Sequence, residues 1–177
     1  RAGCELFFVA SLAEAIELRA EFRQTGHCDL SIMVLHGIQR GQEKDFTAHR
    51  LEPVLNDLEQ ISRWQLYASK TGKTLRALLH FDTGMTRLGL DNDQANWLIQ
   101  NRQALNGMEI SYLISHLVSG ELINDPVNVR QLASFNKFRR SFSTIPCSLA
   151  NSAGSFLGSD YHFSMTRPGI ALYGIHP

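Results

Sequence analysis

Cysteine is scarce in this chain of 177 residues: Cys4, Cys28 and Cys147 are all there is, and no two stand at CxxC spacing. An odd, dispersed set excludes a disulfide framework and a thiolate metal site. The seven histidines are scattered too, none at i and i+4 with another ligand type, so no metal is expected. No apolar run approaches the ~18 residues of a membrane span, and no signal-peptide pattern opens the chain. A soluble, cytoplasmic protein without a membrane partner is the expectation. Neither sign of charge is in excess, because 17 Lys and Arg balance 17 Asp and Glu. A nucleic-acid partner would want a basic stripe; Lys137, Arg139 and Arg140 on one helix read instead as a solvated face.

What is present is an alternation of strand-like and helix-like periods. Apolar runs end near Ala10, Leu35, Leu55, Phe81, Ser115, Ala150 and Tyr173, and most intervals hold a 3.6-residue period with a start signal. Ser11-Leu12-Ala13-Glu14 is a capping box for a helix that buries Leu12, Ala15, Ile16 and Phe22. Asn56 is expected to cap a helix whose inner face is Leu58, Ile61, Trp64 and Ala68. Asp91 or Asn92 starts another, carrying Ala95, Leu98 and Ile99. Asp125-Pro126 supplies a cap and a first-turn proline ahead of Leu132, Phe135, Phe138 and Phe142. Seven strands with continuous apolar cores call for a parallel sheet covered by helices. A closed (β/α)₈ barrel takes eight strands and about 250 residues, so one βα unit is expected to be absent; an open doubly wound sheet is the alternative.

Polar groups gather where such strands end. His80-Phe81-Asp82-Thr83-Gly84-Met85-Thr86-Arg87-Leu88-Gly89-Leu90 runs from a strand through an Asp-Thr-Gly turn to an arginine. Downstream come Ser148-Leu149-Ala150-Asn151-Ser152-Ala153-Gly154 and Arg167-Pro168-Gly169-Ile170-Ala171-Leu172-Tyr173-Gly174. By spacing alone, Ser152 is equally a helix N-cap or a hydroxyl approaching a phosphate, Arg167 a surface residue of a Pro-Gly turn, and His116 a hydrogen-bonded histidine at a strand end. The Asp-Thr-Gly turn also resembles that of an aspartic protease, but two such carboxylates would be needed and one occurs.

Together, in this order and at this separation, the stretches resemble the alanine racemases. The resemblance implies an α/β fold, a TIM-type (β/α)₈ barrel, with residues 1–177 as a partial cofactor-binding barrel domain lacking the first strand unit and a C-terminal β domain. It implies pyridoxal 5'-phosphate as cofactor, interconversion of L- and D-alanine for peptidoglycan precursors, and a homodimer in the full-length form. Related racemases of serine or broad specificity, and non-catalytic pyridoxal-phosphate-binding proteins of this fold, share the pattern. By the same resemblance, Ser152 with the amides of Gly169 and Ile170 holds the cofactor phosphate, and Arg167 faces the ring nitrogen. Arg87 reaches the phenolic oxygen and the substrate carboxylate, His116 packs against the ring, and Asn151 and Asp82 support the site, Asp82 by bracing its turn. The family's two proton-transferring groups, a lysine and a tyrosine from the second subunit, are expected outside this chain, leaving the fragment inactive alone. His80 stands where the family commonly has a lysine modified by carbon dioxide, which imidazole cannot replace as a stable carbamate.

Overall fold

The computed structural model describes residues 3–175. Arg1 and Pro177 lie outside the described residues. The chain forms two compact units, one running through Leu78 with Arg102–Glu109 added, the other comprising Leu79–Asn101 and the residues from Ile110 on.

The first unit alternates β1 (Leu6–Val9), α1 (Leu12–Gln24), β2 (Ser31–Val34), α2 (Glu43–Ala48), β3 (Leu51–Leu55), α3 (Leu58–Thr71) and most of β4 (Leu75–His80). β1 pairs with β2 and β2 with β3, both parallel. β3 is buried at all five positions and β2 at three of four, whereas β1 is half-buried throughout. Continuous burial is what a parallel sheet covered on both faces requires. Ile32, Met33, Phe46, Leu55, Ile61 and Trp64 fill the interior, each stabilising the fold by about 1.5–3 kcal/mol relative to exposure.

The helices start where local chemistry dictates. Ser11 accepts from the Glu14 amide while the Glu14 carboxylate accepts from the Ala10 amide at 2.9 Å, so the capping box forms. In α1 the fully buried positions are Ala15 and Arg19; Leu12, Ile16 and Phe22 are half-buried. The cap of α3 is Asp57, not Asn56: Asp57 Oδ1 accepts from Gln60 N at 2.7 Å. Asn56 is buried, and its amide donates to Leu35 O and Val54 O, both at 2.9 Å, satisfying carbonyls at two strand ends instead of a helix start.

Arg19 crosses under the segments leading into β2 and β3. Its guanidinium donates to Cys28 O at 3.1 Å, Leu30 O at 2.8 Å, His49 O at 2.9 Å and Arg50 O at 2.9 Å. The side chain has no carboxylate partner among the described residues, so four carbonyl dipoles compensate the buried charge.

The second unit holds the end of β4, α4 (Asn92–Gln100), β5 (Met108–Ile114) from Ile110 on, α5 (Pro126–Arg140) and β6 (Cys147–Ser148). Strands follow in chain order, and β5 pairs parallel with β6. Asp91 caps α4 and Asp125 caps α5, whose inner face is Gln131, Phe135 and Phe138. The expected seventh strand ending at Tyr173 does not form. Ile170–Tyr173 is a 3₁₀ turn, because ladder pairing stops at the single bridge between Asn151 and Arg167. Beyond it the amides go elsewhere: Leu172 N to Gly169 O, Gly174 N to Ala171 O, and those of Gly169 and Ala171 to Ser152. Leu172 and Tyr173 are left 77% and 86% exposed, the opposite of a barrel strand's burial.

Candidate functional site

All the site residues expected from the sequence fall in the second unit. β4 ends in a loop closed on itself by a bridge between Phe81 and Leu90, with Leu90 N donating to His80 O at 2.8 Å and Asp82 N to Leu90 O at 2.9 Å. Inside the loop Asp82 Oδ1 accepts from Gly84 N at 2.9 Å and Thr86 N at 3.0 Å, so Asp82 braces the turn as expected. These bonds hold Thr86 at a left-handed φ of 54°. The loop presents Arg87, which is exposed and makes no hydrogen bond among the described residues.

The ends of β5 and β6 bring the remaining groups together. Arg167 enters through its own amide, bonded to Ala150 O at 2.9 Å. Its guanidinium donates to Ser148 O at 2.9 Å, to Ser148 Oγ at 2.5 Å and to Ser115 O. The residue is therefore anchored at two strand ends and is not a surface arginine of a turn. Asn151 spans the next position: Oδ1 accepts from Gly154 N at 2.9 Å, while Nδ2 donates to Leu117 O at 3.1 Å and lies 3.3 Å from His116 Nε2. Because the Gly154 bond fixes which end of the amide is oxygen, Nδ2 faces the imidazole and Nε2 must be an acceptor.

Ser152 is 3% exposed and makes no cap to the 3₁₀ turn it precedes. Its Oγ accepts from Gly169 N at 2.9 Å and from Ala171 N at 3.2 Å. The capping task falls to Asn151, and Ser152 gathers amides from across the site. Ile170 lies between these donors, its side chain half exposed. A Cβ built on Gly169 would meet nothing within 4 Å, so there is open space beside that amide.

The electrostatics are one-sided. Burial, then Arg167, His116 and Arg87 push His80 down to about 3; burial, then Arg167 and Arg87 push His116 down to about 4. Burial lowers Arg167 to about 10, which leaves it a cation at neutral pH. Two neutral imidazoles among guanidinium groups, with the Asp82 carboxylate turned into its own loop, suit an anionic ligand.

The unfolded chain takes up protons near the ordinary histidine value of about 6.5 while the folded chain does not. Stability tied to these two residues is fully present above that pH and is lost as pH falls toward about 4 for His116 and about 3 for His80. The slope is on the order of 1 kcal/mol per pH unit per histidine. Urea midpoints should drop between pH 6.5 and 5, and His116→Asn should remove part of the slope; a flat wild-type profile would show that the imidazoles are not held neutral.

Several participants were given no role by the sequence. Ser148, which opens the stretch that contains Asn151 and Ser152, and Ser115, which ends an apolar run next to His116, both hold Arg167 and could have been suspected from their places at strand ends. Ala171, rather than Ile170, supplies the second amide to Ser152. Gln131 on α5 donates to His116 O at 2.9 Å, with nothing in its spacing to mark it.

The model of the alanine racemase N-terminal domain matches residues 1–177. This chain belongs to the alanine racemase family. It is 42% identical over 175 residues to the alanine racemase of Rickettsia rickettsii, covering 99% of this chain and 48% of that protein. Against the alanine racemase of Brucella abortus it is 44% identical over 176 residues, covering 99% and 43%. Its fold matches the crystal structure of alanine racemase from Bartonella henselae with covalently bound pyridoxal phosphate at a TM-score of 0.93 and 39% identity, covering 99% of this chain and 50% of that one. The fold class is thus the α/β barrel of the alanine racemase N-terminal domain, with six of its strands among the described residues. The chain spans about half the length of the alanine racemases it matches.

Proposed function

We propose that the protein containing this chain is a pyridoxal-phosphate-dependent alanine racemase, a cytoplasmic homodimer that interconverts L- and D-alanine for peptidoglycan precursors. The observation that carries the reading is Ser152 Oγ collecting the Gly169 and Ala171 amides beside Arg167 and His116, with open space at Gly169. A hydroxyl and backbone amides suit a phosphate, and nearby guanidinium groups favour its charge. Pyridoxal phosphate, when bound, supplies an electron sink for the α-carbon of an amino acid.

This chain's residues would bind and orient. Ser152 with the amides of Gly169 and Ile170 would hold the phosphate, the Ser152 hydroxyl donating its hydrogen and the Gly169 N–H exchanging Ser152 Oγ for a phosphate oxygen. Arg167 would donate toward the ring nitrogen and keep its own proton, since a guanidinium near pKa 10 does not yield it at neutral pH. By keeping its proton, Arg167 would leave that nitrogen unprotonated, which would suit simple proton removal and return. His116, neutral and steered by Asn151, would pack against the ring. Arg87, with no competing hydrogen bond among the described residues, would take the phenolic oxygen and the substrate carboxylate. His80, buried and neutral, cannot give Arg87 the ionic partner that a carbamate would. The two proton-transferring groups, a lysine and a tyrosine of the second subunit, would come from the rest of the protein.

The test is the full-length protein, assayed for a visible absorbance band of covalently held cofactor and for turnover of L-alanine and L-serine. A band with preferred turnover of alanine supports the reading. A preference for serine, or a band without turnover of any amino acid, assigns the protein to one of its related classes instead.

A further inference from the structure

Gln131 is 1% exposed and bonds to none of the side chains or amides assigned to cofactor or substrate, yet both polar atoms of its side chain are engaged at their supports. Val118 N donates to its Oε1 at 3.0 Å; its Nε2 donates to His116 O at 2.9 Å and to Thr83 Oγ1 at 3.2 Å. The orientation of the amide is not arbitrary, because a backbone N–H can meet only the oxygen and a carbonyl only the nitrogen. Thr83 Oγ1 is therefore an acceptor toward Gln131, which leaves its own hydrogen for Ser115 Oγ at 2.7 Å. The main-chain carbonyl of Ser115 in turn receives the Arg167 guanidinium. One side chain on α5 thus ties the Asp-Thr-Gly turn that leads to Arg87, the strand end that carries His116, and the residue that seats Arg167. Thr83 and Ser115 are themselves 9% and 1% exposed, so water does not compete for these bonds.

We propose that Gln131 is a positioning residue, fixing His116, Arg167 and the Arg87 turn relative to one another through its bonds to His116 O, Val118 N and Thr83 Oγ1. The functional consequence rests on the racemase reading above. Gln131→Met keeps the bulk of the side chain and removes both donors and the acceptor. Gln131→Glu keeps the acceptor for Val118 N and, while ionised, faces the His116 carbonyl and the Thr83 hydroxyl with oxygen where a donor is needed. Thr83→Val removes one hydroxyl from the chain; Thr83→Ser retains it.

In the full-length protein, Gln131→Met should lower kcat for alanine about tenfold or more, with KM changed far less, and should shift the visible band of the bound cofactor. Thr83→Val should move both in the same direction, Thr83→Ser should resemble wild type, and the double variant should be no worse than Gln131→Met alone, because the two substitutions break one chain of bonds. Gln131→Glu should recover relative to wild type as the pH is lowered, since a protonated carboxyl regains one donor. The imidazole NMR resonances of His116 should move in Gln131→Met and Thr83→Val but not in Thr83→Ser, a readout that needs neither turnover nor cofactor. Unmoved His116 resonances, or a lowered melting temperature with wild-type kcat, KM and spectrum, overturn the proposal. A wild-type protein that neither holds pyridoxal phosphate nor racemises alanine defeats the racemase reading, while the His116 resonances still decide the role of Gln131. If Gln131→Met does not fold, Thr83→Val and Gln131→Glu give the same decision.

Discussion

Arg167→Lys in the full-length protein should lose turnover on the order of 10²-fold at neutral pH, and what remains should rise relative to wild type as the pH is lowered. Burial brings the Arg167 guanidinium down to about 10 and leaves it charged. A lysine in the same place begins near 10.4 and is shifted more readily, so the same burial carries it toward neutrality under assay conditions. It also lacks the planar fork that reaches Ser148 O, Ser148 Oγ and Ser115 O at once. At least one buried carbonyl would lose a charge-assisted bond, at about 1.5–3 kcal/mol. The ratio of variant to wild-type kcat across pH 6–9 is the decisive measurement. A ratio that is flat and near one would reduce Arg167 to a structural bolt between two strand ends.

Gly89→Ala should destabilise the protein by more than about 3 kcal/mol. Gly89 has a φ of +108°, and an added Cβ would sit 2.7 Å from Asp82 N and 2.9 Å from Phe81 C, both main-chain atoms. Neither atom can give way cheaply, because Asp82 N is bonded to Leu90 O and Phe81 bridges Leu90. Relief would require opening the loop that presents Arg87, so binding of a carboxylate ligand should fall along with stability. Urea denaturation at neutral pH measures the first effect. Gly169→Ala is the matched control: its methyl meets nothing within 4 Å, and the urea midpoint should hardly move. Equal losses from both substitutions would refute the steric argument.

The parts of the fold that were legible in the sequence are those decided within a few residues. The Ser11–Glu14 box, the Asp91 and Asp125 caps and the aromatic face of α5 are each a matter of neighbouring side chains and free amides, and all are found. Asn56 and Asp57 are both good caps, and the choice between them was made by the Leu35 carbonyl, 21 residues away, which only the folded chain brings to Asn56 beside the neighbouring Val54 carbonyl. Ile170–Tyr173 has a strand's composition, yet being a strand depends on donors and acceptors of a neighbour, and here those amides turn inward to Ser152 and to their own turn. In the candidate site, Ser152, Asn151, Arg167 and His116 are brought together near the ends of β5 and β6. Ser115, Ser148 and Gln131 hold them by bonds spanning 15 to 52 residues of sequence, which leave no periodicity to read.

Arg19 gives the first unit something a chain with three free cysteines otherwise lacks, a cross-link. Its four carbonyl bonds span sequence separations of 9, 11, 30 and 31 residues, so releasing this guanidinium opens two loops together. The segments leading into β2 and β3 therefore cannot fray independently. In hydrogen-exchange terms, the amides of both strands should become exposed in one cooperative opening, with α1 leaving in the same step.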